Sequence, residues 1–194
     1  MALPYALSTV PHLRAYLRSD EADLVLLDQM IDAATLAIED ACRDVFVQHS
    51  LTEHHSGGAQ RSQRGGAKRI YLNASHIQSV TSILDDQPTP YAIQPTDYTI
   101  LDGIGALQHL YHWPPPLWQW HITYSGGWFA DTDSVDEALR LACNREAAYL
   151  LREPRGPIAS ESTSRRTASF TFDTKSQRDR ILDQMPAKYV RVGI

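Results

Sequence analysis

Cysteine is scarce in this 194-residue chain, with only Cys42 and Cys143 present. Two thiols cannot build a disulfide framework, and each falls within a predicted amphipathic helix, where a buried free cysteine is expected. Long apolar runs are missing as well, so nothing matches the roughly 20 residues that a membrane span requires. Residues 1–10 lack the basic start and apolar stretch of a secretory leader, and a cytosolic chain is expected. Catalytic signatures are equally thin. No Gly-x-Ser-x-Gly elbow occurs, neither cysteine has an evident histidine partner, and Gly66-Ala67-Lys68 does not supply the Gly-Lys-Ser/Thr of a phosphate cradle.

Eight histidines make a metal the first alternative to test. His54 and His55 are adjacent, so on a strand they point to opposite faces. His109 and His112 sit three apart in a stretch that reads as extended, with His121 on a predicted neighbouring strand. Zinc sites add cysteine or carboxylate ligands at regular spacing, and no such spacing occurs here. Surface or sheet-packing histidines are therefore expected, with no metal, no cofactor and no catalytic residue. A metal-dependent enzyme built on His54, His109, His112 and His121 stands as a rival reading.

What the chain does hold is the composition of an ordinary soluble globular protein, 43% hydrophobic and 21% charged. The net charge of −5 argues against a protein whose main task is gripping nucleic acid. The charge is unevenly spread: from Arg155 onward eight Lys or Arg face four Asp or Glu, and before it ten face nineteen. An acidic body thus carries a basic tail, which suggests that the tail meets something else.

Periodicity divides the chain. Pro11 suits a first helical turn, and a short helix is predicted over residues 10–17. A longer one is predicted over 20–43, where Leu24, Leu27, Ile31, Ala34, Ile38 and Ala41 form one apolar stripe, widened by Val25, Met30 and Cys42. Asp28, Asp32 and Glu39 occupy its other surface. From Val45 the pattern becomes extended. Gly57 to Gly66 reads as a flexible glycine- and arginine-rich loop, and Arg61 and Arg64 within it, with Lys68 and Arg69 just after it, are candidate contacts for an acidic surface or a DNA backbone. Short strands are predicted at 69–72, 77–84, 91–93, 98–101, 106–111 and 118–124, the spacing of an antiparallel sandwich or small barrel. Alternation puts Trp118 and Trp120 in the core and leaves Trp113 and Trp128 as contact candidates. Asp133 or Ser134 should cap a third helix near 134–151, stopped by Pro154, Gly156 and Pro157. A strand at 168–172 and a helix over 176–185 are predicted in the tail.

The expected class is α+β: a small helical bundle (residues 1–44 with 133–153), an inserted antiparallel β lobe (45–125), and an extended tail (154–194) ending in a short helix.

Several stretches, taken in order, resemble the head–tail connector (adaptor) family of tailed bacteriophages, in its larger variety with a β insertion. They are His12-Leu13-Arg14-Ala15-Tyr16-Leu17, the acidic Asp20-Glu21-Ala22-Asp23 with the helix that follows, Ile77-Gln78-Ser79-Val80-Thr81-Ser82-Ile83, Ile122-Thr123-Tyr124-Ser125-Gly126-Gly127-Trp128, and the tail strand Ala168-Ser169-Phe170-Thr171-Phe172. The resemblance implies a virion neck protein, assembled in the host cytoplasm, that forms a homo-oligomeric ring, usually twelvefold, beneath the portal. Such a ring extends the channel for double-stranded DNA without binding it specifically, and offers a platform to stopper or tail-completion proteins. It implies no membrane and no catalysis. In that role Arg155, Arg165, Arg166, Phe170, Phe172, Tyr189 and Arg191 are candidate contacts with the portal or another partner, and Asp28, Asp32 and Glu39 candidate channel-facing acids. A stopper or tail-completion protein of the same neck is the nearest alternative.

Overall fold

Capping carboxylates mark where the two long helices begin, and a proline opens the short first helix. The protein is described by a computed structural model covering residues 3–18, 23–56, 68–85, 92–111, 113, 119–152 and 177–190. Helix α1 (Val10–Leu17) carries its proline in the first turn, and Arg18 closes it in the left-handed region at φ 54°. Helix α2 (Leu24–Cys42) starts where the Asp23 carboxylate accepts the Val25 N–H at 2.9 Å. Helix α3 (Glu137–Arg152) is capped by Asp136, whose Oδ1 accepts the Ala138 N–H at 3.0 Å. Asp133 and Ser134 were the expected caps. Ser134 is instead spent on a tight turn with Asp131, whose Oδ1 accepts the Ser134 N–H at 2.8 Å.

The chain divides into two compact units, residues 1–42 with 136–194 and residues 43–135. In the helical unit α1 packs on α2 and α3, and α2 packs on α3 and on α4 (Gln177–Leu182). Leu7, Leu13, Leu27, Ile31, Ile38 and Leu139 are fully buried there. The buried stripe of α2 starts one turn later than its periodicity suggests: Leu24 and Val25 are 53% and 63% exposed. Polar threads fix the segment before α1. Thr35 Oγ1 accepts the Leu7 N–H at 3.1 Å, and the Ser8 hydroxyl donates to Asn144 Oδ1 at 2.8 Å. Buried Glu146 on α3 accepts from Arg180 Nη2 at 2.7 Å and Gln177 Nε2 at 3.1 Å, which holds α4 in place. The Arg180 guanidinium also lies 3.6 Å from the centre of the Tyr149 ring. A 3-10 turn (Ala187–Tyr189) returns to Asp136, whose Oδ2 accepts from Lys188 Nζ at 2.8 Å and the Tyr189 hydroxyl at 2.9 Å.

The second unit contains two antiparallel three-stranded sheets. One has the order β1 (His49–Ser56), β6 (Gln119–Gly126), β3 (Ile77–Asp85). The other has the order β2 (Arg69–Tyr71), β5 (Ala106–His109), β4 (Tyr98–Leu101). Both line one apolar cluster that includes Ile70, Leu72, Ile83, Leu107, Trp120 and Ile122, so this is a sandwich of open sheets and not a closed barrel. Strand β6 is central, and its alternation buries Trp120, Ile122 and Tyr124 on one side.

Three expectations change here. Val45 to Val47 lies outside a strand, with Val47 in a single parallel bridge to Phe129. Ala92 makes only an isolated bridge to Leu84. Trp113, a contact candidate by sequence, is 1% exposed and packs edge-on against Trp120 at 6.0 Å between ring centres. Trp118, the Gly57–Gly66 loop and the 168–172 strand fall outside the described residues.

Gly105 shows how tightly the hairpin between β4 and β5 is built. It sits at φ +60°, and a Cβ there would stand 2.2 Å from the Ala74 carbonyl oxygen. Gly105→Ala should therefore destabilise this unit by more than about 1 kcal/mol. All four tryptophans lie between residues 113 and 128, so tryptophan emission, excited selectively over tyrosine, reports this unit during urea unfolding. An unchanged midpoint would contradict the packing described.

Candidate functional site

The acidic residues of α2 come together as their spacing requires. Asp28, Asp32 and Glu39 lie along one line of the helix, all half-buried. Asp32 has a structural duty as well, because its Oδ1 accepts the Leu3 N–H at 3.0 Å. Beside that line α2 presents Val25 and Leu36, both more than half exposed.

The basic candidates are only partly placed. Lys68 and Arg69 are exposed at the start of β2, and Arg69 Nε donates to Gln108 Oε1 on β5 at 2.9 Å. Arg61 and Arg64 lie outside the described residues, as do Arg155, Arg165, Arg166, Phe170, Phe172 and Arg191. Tyr189 is 2% exposed and is held inside the helical unit by Asp136. Its ring is therefore engaged within the chain.

Two carboxylates in the β unit, buried Asp44 and half-buried Glu53, were not singled out by pattern. Asp44 Oδ1 accepts the N–H groups of Val45 and Ser75, each at 2.8 Å, and Oδ2 accepts the Ser75 hydroxyl and the Trp128 indole N–H. Glu53 on β1 points inward. Its Oε1 accepts from the Tyr124 hydroxyl and from the Asn73 N–H at 2.9 Å, while His55 Nε2 donates to Oε2 at 2.9 Å. Burial pushes the Glu53 carboxyl up, but the bonds from His55, Tyr124 and Asn73 outweigh it and hold the group below its ordinary value. Burial and the Glu53 charge push the Tyr124 hydroxyl up. The signal for Glu53 was present in the alternation of β1, where Leu51, Glu53 and His55 share the face that meets the core.

Catalytic geometry does not emerge from these groups. Both thiols are buried, and burial pushes the Cys143 thiol up to about 12, so it stays protonated near neutral pH. Glu53 and Asp44 are consumed by structural donors. Among the described residues no three His, Cys, Asp or Glu side chains converge on a common point. Among the same residues no helix is long and apolar enough to cross a membrane.

This architecture, a helical bundle with an inserted two-sheet sandwich, is held by interlocking polar contacts in each unit. Solved structures share it. The chain is similar to one in the neck of an empty GTA particle computed with C6 symmetry, with a TM-score of 0.64 and 18% identity over 82% of this chain and 83% of that one. It is similar to a chain in the neck of a native GTA particle computed with C12 symmetry (TM-score 0.56, 18% identity, 81% and 87% covered). A chain in the virion of a native gene transfer agent (GTA) particle matches with a TM-score of 0.61 at 18% identity, covering 82% and 84%. At this identity the likeness is one of fold. No family model matches the chain, and no curated protein does.

The Glu53 cluster makes a pH prediction whose sign is fixed by the direction of its shift. A carboxyl held below its ordinary value of 4.5 stabilises the fold above that value, and the contribution fades as pH falls through the lowered one. Fluorescence-detected unfolding midpoints should drop on acidification below about pH 4.5 in the parent protein. In Glu53→Gln that acid decline should be shallower. Equal pH slopes in both proteins would contradict the assignment.

Proposed function

We propose that this chain is a structural subunit of the neck of a tailed phage or phage-like particle, and that within the neck it is the head–tail connector (adaptor). The observation that carries the reading is the likeness to GTA neck chains across both units, with 82% of this chain covered at a TM-score of 0.64. On this reading the chain performs no chemical step. Copies form a ring, twelve in number, beneath the portal, extending the DNA channel and presenting a platform to stopper or tail-completion proteins.

The physical features suit that work. A closed ring needs two different surfaces of one subunit to meet. Each unit shows exposed apolar side chains of the kind that interface centres bury, Val25 and Leu36 in the helical unit and Leu110 and Tyr111 in the β unit. The basic segment from Arg155 onward suits an acidic neighbour such as the portal. An acidic α2 line facing the channel would let DNA slide, because it offers no cation to phosphate. The protein belongs, on this account, in the virion neck after assembly in the host cytoplasm, with no membrane partner.

Co-expression with the portal of the same genome tests the proposal. Negative-stain images should show a ring stacked on the portal, and native mass spectrometry should count twelve copies. A protein that ignores isolated portal rings but joins a preformed portal–adaptor complex would be a stopper instead. Within assembled particles, Asp28→Asn is the cleaner probe of the acidic line, because Asp32 also anchors the Leu3 backbone. DNA retention or release should change in that variant, and unaltered behaviour would remove the channel-lining role.

A further inference from the structure

We propose that His54 and His121 form a two-point chelate for a late first-row transition ion, such as Ni2+, Cu2+ or Zn2+, on the open face of the β1–β6 pair. The two residues are directly opposite each other in the ladder, so both side chains rise from one face. Their ring centres are 4.3 Å apart. Two imidazoles bound cis to one ion at ordinary metal–nitrogen lengths have centres about 4.5 Å apart. The two rings thus already stand near the separation that a shared ion requires.

The remaining described histidines have other commitments. His12 bonds with the Thr9 hydroxyl, His49 with the Val47 carbonyl, His55 with Glu53, His76 with Asp102, and His109 with the Tyr111 N–H. His54 is exposed and His121 half-exposed, and they meet each other. The neighbouring row on this face is the hydroxyl pair Thr52–Thr123, 3.1 Å apart, and Leu84 of β3 lies across from His121. No third ligand-type side chain converges here among the described residues. The ion would keep open positions for water or for a donor from another molecule. Imidazole donors with open positions favour copper, nickel and zinc over the oxygen-seeking Mg2+ and Ca2+.

The sequence grouped both residues with His109 and His112 as candidate ligands, but the 67-position gap hides the pairing itself, which only the β1–β6 register reveals. The test uses the full chain without a polyhistidine tag, titrated calorimetrically with Ni2+ or Cu2+ alone at about pH 8. One equivalent should bind. His54→Gln and His121→Gln should each weaken binding about tenfold or more, the gain a second ligand on one scaffold provides. His12→Gln should leave it unchanged. Acidification to about pH 5 should release the ion, because a protonated imidazole has no lone pair to donate. Copper bound in a paramagnetic resonance spectrum should show coupling to two nitrogens. Absence of stoichiometric binding, or binding that survives the His54→Gln/His121→Gln double variant with native circular dichroism, would overturn the assignment.

Discussion

Asp44 is the point on which the β unit depends. It follows the last residues of α2 directly, and the chain there must turn from helix into sandwich. Its carboxylate receives the backbone of Val45 and the backbone and hydroxyl of Ser75, which lies between β2 and β3. The Trp128 indole, just after β6, completes the set. One buried carboxyl side chain thus gathers the start of the unit, a middle connection and the segment just after its last strand. Taking a carboxylate out of water is costly unless its oxygens are fully bonded, and here they meet donors from three separate stretches. Close by, Phe129 brackets the same segment, donating its N–H to Phe46 O at 2.8 Å and accepting the Gln48 N–H at 2.7 Å.

The helical unit uses the same device at different places. Glu146 and Asp136 on or beside α3 draw α4 and the 187–189 turn onto the bundle through Arg180, Gln177, Lys188 and Tyr189. These residues belong to the basic end of the sequence, so part of its positive charge is answered within the chain. Lys188 is held well above the usual lysine range by Asp136 and Tyr189, and Asp136 is in turn lowered to about 2 by Lys188. A segment that composition describes as an outward-reaching tail therefore divides. Its described portion is docked by specific pairs, and the proposal of partner contact rests on Arg155, Arg165, Arg166, Phe170, Phe172 and Arg191.

Much of the fold was legible. The helix over Val10–Leu17 was predicted at its observed bounds, and the apolar period of α2 was read correctly from Leu27 onward, because one-sided burial writes itself into spacing. The α+β class and the antiparallel strands followed from short alternating runs between turn residues. Legibility ended at Leu24, Val25 and Trp113, whose hydropathy is the same whether a neighbour covers them or not. It also ended at Ser134, which has the chemistry of a cap but was used in a turn.

The amino-acid sequence by itself determined the class of structure: which segments coil, which extend, where an acidic body gives way to a basic end, and that no reactive motif is written locally. Tertiary structure alone decided which side chains meet. The Asp44 clasp, the Glu53–Tyr124 bond and the facing of His54 with His121 all join residues dozens of positions apart. Periodicity is a one-dimensional record of one face, whereas pairing depends on strand order and register, which arise only when two sheets close on a shared core.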